Sequence, residues 1–371
     1  MKLGDLPTPC LVLDRRVLVR NIDRMAQAVG RLGVALRPHM KTAKSIDVAR
    51  MVIANTAATV EGITVSTLAE AEYFSAHGIT DILYAVGITP QKLDQVAKLN
   101  DAGAKVKIIT DDLDVAHAIA AHRGELRALI EIDCGEMRGG ISADDPNLEA
   151  IGTALGRRLQ GVLTHAGHSY AGRGIAEMAD LAEAERQSAL TAVRRLRAAG
   201  LECPVVSVGS SPTALHARAL GGITETRPGV YMFGDLFQAE IATVEPDGIA
   251  VTVLASVIGR RPAEGRIVID AGGMALSKDR ATESSPHDFG FGLVLDAQGR
   301  RSLGMSLVAR ANQEHGVVDL DRGIALPEFR IGDRVRVAPN HTCMTSAAHD
   351  RYYVVDGGDE VVAVWPRISG W

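Results

Sequence analysis

The chain has 371 residues, a length that fits two domains or one large barrel with an appended domain. Hydrophobic residues make up 46% and charged residues 23%, a composition typical of an ordinary globular protein and not of a disordered one. The 40 Lys and Arg against 45 Asp and Glu give a net charge of -5, which excludes the basic field that gathers nucleic acid or an anionic membrane.

From residue 30 to about residue 235, short β-branched runs alternate with amphipathic stretches rich in Ala, Leu and charge. The predicted strands are Val34–Arg37, Gly62–Val65, Asp81–Val86, Lys105–Ile109, Arg127–Ile132, Leu159–Thr164, Pro204–Val208 and Glu225–Tyr231. Helical spacing of apolar residues predicts helices over Leu68–His77, Pro90–Ala102, Asp114–His122 and Ile175–Ala199. Eight strands alternating with helices favour the α/β class and a closed (β/α)8 TIM barrel. An open doubly wound sheet would need a nucleotide fingerprint, and no G-x-G-x-x-G follows the first strand.

After about residue 245 the pattern changes to strands without intervening helices. The predicted strands are Ala250–Ile258, Arg266–Asp270, Arg334–Ala338, Tyr352–Val355 and Val361–Trp365. The apolar run Leu11–Leu13 precedes the first predicted helix, and we expect it to pair with these strands. The sequence therefore predicts a barrel over residues 15–240 and a C-terminal β-rich domain built from residues 1–14 plus 241–371.

Nothing in the sequence resembles a membrane span or a signal peptide. No run approaches the roughly 20 apolar residues of a span, and the first residues lead into no signal-peptide core. We therefore expect a cytoplasmic protein. The four cysteines lie far apart without a C-x-x-C pair, which argues against a disulfide scaffold and against a zinc finger.

Candidate functional residues follow several of the predicted barrel strands, at the end where such barrels carry their chemistry. Lys41 follows the first strand, where its amine could form a Schiff base, although a solvated surface lysine is the simpler alternative. Gly209, Ser210 and Ser211 follow the seventh strand and enter a helix, an arrangement that can hold a phosphate. Tyr231 ends the eighth run and could direct its hydroxyl to the same phosphate or simply pack.

Two further barrel loops and one β-domain segment carry candidates. Arg138 follows the fifth strand, and His165 and Tyr170 follow the sixth; each could equally be structural. In the β-domain, His341 and Cys343 are two residues apart and lie on one side if the segment is extended. Their nitrogen and sulfur suit zinc, and two protein ligands would leave coordination positions for water or substrate, although H-x-C also arises by chance.

Seven stretches together resemble the fold-type III pyridoxal-phosphate (PLP) enzymes of the D-threonine aldolase and D-serine dehydratase group. They are Thr8–Asp14, Arg37–Thr42, Glu131–Gly135, Gly209–Thr213, Arg227–Tyr231, Gln313–Gly316 and Pro339–Cys343. The stretches span nearly the whole chain in order. The resemblance implies an alanine racemase-like N-terminal barrel followed by the β-rich domain.

The resemblance also implies roles for individual residues. Lys41 would hold PLP covalently, Arg138 would face its phenolic oxygen, and Tyr170, Gly209, Ser210, Ser211 and Tyr231 would complete the cofactor site. His341 and Cys343 would bind a divalent metal beside the substrate's β-hydroxyl. That metal is expected to be Zn2+, with Mn2+ and Mg2+ as alternatives. A homodimer is implied as well.

The H-x-C spacing is similar to the dehydratases of this group, whereas the aldolases more often resemble H-x-D. The expected function is β-elimination of water from a D-3-hydroxy amino acid of the D-3-hydroxyaspartate or D-serine type, giving a 2-oxo acid and ammonia. Lys41 would take the Cα proton. A D-threonine aldolase, in which His165 could take the hydroxyl proton, is the alternative. Two further hypotheses are an amino-acid racemase, which needs no metal, and a non-enzymatic PLP-binding module, which resembles the barrel alone.

Overall fold

The structure is a computed structural model that describes residues 1–325 and 327–371. The strands are β1 (Cys10–Asp14), β2 (Ala35–Leu36), β3 (Ile63–Val65), β4 (Asp81–Gly87), β5 (Lys105–Thr110), β6 (Arg127–Asp133), β7 (Ile141–Ser142), β8 (Leu159–Thr164), β9 (Val205–Val208), β10 (Glu225–Thr226), β11 (Val251–Arg261), β12 (Arg266–Ile269), β13 (Leu293–Leu295), β14 (Leu307–Ala311), β15 (Gly316–Asp319), β16 (Arg334–Ala338), β17 (Arg351–Val355) and β18 (Val361–Pro366). The α-helices are α1 (Arg15–Leu32), α2 (Ile46–Ile53), α3 (Leu68–Ala76), α4 (Leu93–Asp101), α5 (Leu113–Ala121), α6 (Leu148–Leu155), α7 (Ile175–Ala198), α8 (Ser211–His216), α9 (Leu236–Glu240), α10 (Gly273–Leu276) and α11 (Thr342–Ser346). None of these helices combines the length and the apolar character that a bilayer span demands.

One compact unit, which we call the barrel unit, consists of Asp23–Lys41, Val48–Gly229 and Gly370–Trp371. Its strands are parallel and follow the order β2-β10-β9-β8-β6-β5-β4-β3, with β7 paired only to β6. Bridges between Leu36 and Val60 and between His39 and Thr64 join the two ends of that order. All eight predicted barrel strands are present, and the predicted (β/α)8 fold is confirmed.

Inside the barrel, an apolar cluster lies beside a buried ionic network. The cluster consists of Leu83, Ile109, Leu129 and Leu163. The network centres on Arg37, which is 3% exposed. Its Nε donates to Glu225 Oε2 at 2.7 Å, and its Nη1 donates to Asp81 Oδ1 at 2.9 Å. These partners satisfy a charge that could not otherwise be buried.

The second unit, which we call the β-unit, consists of Met1–Ile22, Thr42–Asp47 and Val230–Ser369. Six of its strands, in the order β12-β15-β14-β13-β16-β11, close into a barrel because β11 also pairs with β12. β1 extends this sheet as predicted: Leu11 lies opposite Val253 of β11 in an antiparallel pair and opposite Tyr352 of β17 in a parallel pair. The predicted C-terminal β-rich domain is confirmed.

Two details of the predicted elements are wrong. The eighth barrel strand ends at Thr226 and does not reach Tyr231, because Pro228 has no N–H to continue the ladder and Val230–Met232 form a 3-10 turn. The strands β13, β14 and β15 carry no clear alternation in the sequence and were not predicted. The four cysteines are free thiols, in agreement with the absence of a predicted disulfide scaffold.

Candidate functional site

A cavity lies at the carboxyl ends of the barrel strands. Its walls are His39, Lys41, Ala85, Glu131, Arg138, Leu163, His165, Gly209 and Arg227. Each of these residues lies within the last three positions of a strand or in the loop that follows it. The fold therefore brings together four of the predicted residues, Lys41, Arg138, His165 and Gly209, at the end where barrel enzymes carry their chemistry.

The two imidazoles of this cavity are neutral at neutral pH. Burial, reinforced by the Lys41 charge, lowers the pKa of His165 to about 3. Burial likewise places the pKa of His39 well below its ordinary value, with Lys41, Arg227 and His165 adding to the effect. His165 Nδ1 lies 3.1 Å from the carbonyl oxygen of Gly209. Because a carbonyl only accepts, Nδ1 carries the hydrogen and Nε2 is left as a proton acceptor.

The remaining charges make the cavity predominantly basic. Lys41 is half-buried, and Arg138 is largely exposed and lies 3.2 Å from Glu136. Arg227 is buried and donates to Ser207 Oγ at 2.6 Å and to the Thr164 carbonyl. Glu131 is the single carboxylate of the walls, and burial raises its pKa. Such a cavity suits an anionic ligand.

The turn expected to hold a phosphate is itself held by a buried carboxylate on α7. Glu185 Oε1 accepts from the Gly209 N–H at 2.8 Å and from the Thr164 hydroxyl at 2.9 Å, and its Oε2 accepts from the Thr213 hydroxyl at 2.9 Å. Ser210 caps α8, and its own N–H donates to Thr213 Oγ1 at 3.1 Å. Two N–H groups of the turn are therefore already engaged within the protein.

Other predicted cofactor residues lie outside the walls of this cavity. Ser210 and Ser211 are buried at the start of α8, and Tyr170 is half-buried in a 3-10 turn, Gly167–Ala171. Tyr231 belongs to the β-unit, where burial raises the pKa of its hydroxyl.

The predicted metal ligands lie together in the β-unit. His341 directly precedes α11 and Cys343 lies in that helix. His341 Nδ1 is 3.0 Å from Asp279 Oδ2, and Cys343 Sγ is 3.1 Å from the Thr42 hydroxyl. Burial alone would lower the pKa of His341, but hydrogen bonds to Asp279 and Cys343 outweigh it and raise that pKa to about 11.

The donor set of this pair fits a divalent metal with two protein ligands. Across residues 1–325 and 327–371, no group of three or more His, Cys, Asp or Glu is arranged to hold a metal ion. Because Nδ1 bonds to Asp279, Nε2 is the nitrogen with which His341 would bind a metal ion, the usual arrangement in which a carboxylate orients a ligating histidine. Nearby Asp235 is buried, and this raises its pKa to about 6.

The charge of the barrel cavity fits PLP, because its basic walls match a phosphorylated, anionic cofactor. The turn beside it requires glycine for a separate reason. At Gly209 the φ angle is +128°, and a Cβ would lie 2.5 Å from Thr226 Oγ1, so only glycine lets the turn pack this closely against the end of β10.

Sequence reasoning missed several residues that shape these sites. Glu131, Arg227 and His39 carried a usable signal, because polar residues at the carboxyl end of a barrel strand, or in the loop that follows it, lie at the barrel mouth. Glu185 and Asp279 carried none, since their partners are distant in the sequence.

Comparison with known proteins gives consistent matches. Residues 13–236 match the family model "Alanine racemase, N-terminal domain", and residues 250–355 match "Putative serine dehydratase domain". The chain is 47% identical to D-threo-3-hydroxyaspartate dehydratase of Delftia sp. (strain HT23), covering 99% of this chain and 98% of that protein.

Solved structures agree. A cysteine-to-alanine mutant of D-threo-3-hydroxyaspartate dehydratase in the metal-free form superposes with a TM-score of 0.94 at 45% identity, covering 100% of both chains. D-threonine aldolase from Filomicrobium marinum superposes with a TM-score of 0.81 at 26% identity, covering 99% of this chain and 96% of that one. The resemblance stated from the sequence is confirmed. The chain belongs to the alanine racemase N-terminal domain family, with the serine dehydratase domain following the barrel, in the group that contains the D-serine dehydratases and D-threonine aldolases.

Proposed function

We propose that this chain is a PLP- and divalent-metal-dependent lyase that eliminates water from D-3-hydroxy amino acids to give a 2-oxo acid and ammonia. The observation that carries the proposal is the half-buried Lys41 in a basic cavity at the carboxyl ends of the barrel strands. Identity of 47% to a D-threo-3-hydroxyaspartate dehydratase over nearly the full length supports the same reaction class. In this assignment residues 15–240 hold the cofactor, and residues 1–14 plus 241–371 carry the metal.

The cofactor site is proposed on the residues expected from the sequence. Lys41 binds PLP through its amine, Arg138 faces the phenolic oxygen, and the basic walls balance the cofactor's charge. Tyr170, Gly209, Ser210, Ser211 and Tyr231 complete the site. The N–H of Gly209 already donates to Glu185, so Gly209 contributes the shape of the turn and not that donor.

The bound groups supply the chemistry that side chains lack: PLP is an electron sink for charge at Cα, and the divalent cation is a Lewis acid for the departing hydroxyl. The amine of Lys41 would remove the Cα proton once the substrate's amino group has replaced it on the cofactor. His165 presents Nε2 as a neutral acceptor, since its Nδ1 hydrogen is committed to the Gly209 carbonyl. His341 and Cys343 bind the cation, and Asp279 orients the imidazole.

Three finer assignments belong to the same proposal. We assign Zn2+ because a nitrogen and a sulfur ligand suit it better than Mn2+ or Mg2+. We also propose a homodimer and a cytoplasmic location.

The test incubates the holoenzyme with D-threonine, D-serine and D-threo-3-hydroxyaspartate and measures ammonia, glycine and aldehyde separately. Ammonia and a 2-oxo acid in equal amounts are expected. The likeness to a D-threonine aldolase structure makes retro-aldol cleavage the second candidate. Glycine with acetaldehyde from D-threonine, and no ammonia from any of the three, would establish that candidate instead. The decision depends on which bond, Cα–H or Cα–Cβ, stands perpendicular to the cofactor ring.

A further inference from the structure

The β-unit contains a cavity of about 320 Å³ that the proposed reaction does not use. Its volume falls within the range of roughly 300 to 1,000 Å³ typical of small-molecule sites. No residue of its walls lines the barrel cavity. Its walls include the apolar residues Val17, Ile249, Leu295 and Ala338 and the turn 298–301, which follows β13.

Arg336 of β16 lines this cavity, although its residue is only 5% exposed. Its Nε donates to Thr252 Oγ1 at 2.7 Å, and its Nη1 donates to the Gln298 carbonyl at 3.4 Å. Within the described chain, no carboxylate oxygen lies within 4.0 Å of the guanidinium, and Nη2 donates to no protein acceptor. Burial lowers the pKa of Arg336 to about 10, although Asp14 and Asp296 act in the opposite direction. Asp14 and Asp296 act on the guanidinium only from beyond 4.0 Å, so the group lacks the directly bonded anion that a buried guanidinium normally has.

The turn beside Arg336 is shaped to admit the guanidinium. Gly299 has a φ of +80°, and a Cβ there would lie 2.6 Å from Arg336 Nη1 and 2.9 Å from Cζ. Any side chain at Gly299 would therefore displace the guanidinium from its position at the cavity wall.

In the part of the chain that the structure describes, two cations of the walls have no directly bonded carboxylate. The walls carry three guanidinium groups (Arg300, Arg301, Arg336) and two carboxylates (Asp14, Asp247), and Arg300 pairs with Asp296. Asp247 pairs with Arg20 at 3.3 Å, so it does not balance Arg336. Arg301 is exposed and donates only to the Pro246 carbonyl, at 3.3 Å, among the described residues.

We propose that this cavity is a binding site for a small organic carboxylate with an apolar body. The carboxylate pairs with Arg336, and the body packs on the apolar wall formed by Val17 and Ile249. The buried guanidinium supplies affinity for the charge, since a charge-assisted bond shielded from water is stronger than one at the surface.

Calorimetric titration of the holoenzyme with 3-methylbutanoate and with its neutral isostere 3-methylbutanamide tests the proposal. The carboxylate is expected to bind saturably, and the amide at least roughly tenfold more weakly, because only the carboxylate can pair with the guanidinium. Equal binding of the two compounds, or no saturable binding of the carboxylate up to about 10 mM, would overturn it.

Two variants test whether the carboxylate binds beside Arg336. Arg336→Met is expected to weaken binding of the carboxylate at least roughly tenfold and to leave basal turnover unchanged. The substitution removes a buried charge that has no ion pair, and such a removal need not destabilise the fold. Arg300→Gln is the matched control. Its side chain also lines the cavity but is 71% exposed and pairs with Asp296, so binding should stay within about twofold. Binding that persists in Arg336→Met and competes with substrate would place the carboxylate in the barrel cavity and refute the proposal.

Discussion

The carboxylate of Glu185 holds the turn after β9, and its removal should loosen that turn. The perturbation is Glu185→Ala, with Glu185→Gln as the matched control. Glu185 is 1% exposed and accepts three hydrogen bonds, from Gly209, Thr164 and Thr213. Alanine leaves all three donors without this acceptor.

The loss of stability in Glu185→Ala depends on which of the three donors can find another hydrogen-bond acceptor. The Gly209 N–H is fixed by the backbone and cannot turn, whereas the Thr213 hydroxyl can turn to Ser210 Oγ at 3.0 Å. A buried donor left without a partner costs about 1 to 3 kcal/mol, so we expect Glu185→Ala to cost roughly 3 to 5 kcal/mol. In Glu185→Gln the amide oxygen can keep the bonds of Oε1, and the amide nitrogen can donate to Thr213 Oγ1. That variant should therefore cost about 1 kcal/mol.

Hydrogen exchange of the peptide 205–213 measures this effect locally. A loss of about 1.4 kcal/mol in the free energy of local opening raises the exchange rate about tenfold. Exchange of the Gly209 amide should therefore accelerate by about 100-fold or more in Glu185→Ala and by less than about tenfold in Glu185→Gln. Titration of the apoprotein with PLP should show weaker binding in the same order, because the turn contributes to the proposed cofactor site. Identical exchange rates and PLP affinities in the two variants would refute this role of Glu185.

Further predictions concern the proposed cofactor and metal. Borohydride reduction of the holoenzyme followed by peptide mapping should find the cofactor on Lys41; finding it on Lys44 would contradict the assignment. Cys343→Ala should lose metal and turnover but keep the cofactor absorbance, and retention of both metal and full activity would exclude the metal site. Asp279→Asn should weaken metal affinity by about 10- to 100-fold, measured by chelator competition, because Asp279 orients the ligating imidazole; unchanged affinity would count against that role. The pKa of His165 lies near 3, so its imidazole stays neutral from pH 5 to 8. The pH profile of kcat/KM between these pH values should therefore have the same shape in the wild type and in His165→Asn. An inflection that is present in the wild type and lost in the variant would contradict this prediction.

Much of the fold could be predicted because local signals agreed with tertiary structure. The run Leu159–Thr164 is short, mostly apolar and buried on both faces, as parallel barrel strands are. β13 could not be predicted in this way. It has only three residues, and its pairing partner opposite Leu293 is Ala338, far along the chain. A short strand of that kind is specified by its neighbours and not by its own sequence.

The same distinction between local and tertiary signals applies to the residues of the candidate site. Lys41 and His165 could be located because a barrel places the residues after its strands at one mouth. Glu185 could not, because in the sequence it is one more charged residue of a long amphipathic helix. Asp279 lies 62 residues before His341, and only the folded β-unit brings their side chains to 3.0 Å.

The position of β1 inside the β-unit sheet has a consequence for synthesis of the chain. β1 leaves the ribosome before the strands with which it pairs, since Leu11 lies opposite Val253 and Tyr352. At about 5 to 20 residues per second, the second partner emerges roughly 15 to 70 s later. Leu11, Val12 and Leu13 of this strand are fully buried in the folded protein, but both of its edges are unpaired until Val253 emerges, and one edge stays unpaired until Tyr352 emerges. Slower translation lengthens the interval, so the N-terminal segment is where nascent chains of this protein are most exposed to aggregation and most in need of a chaperone.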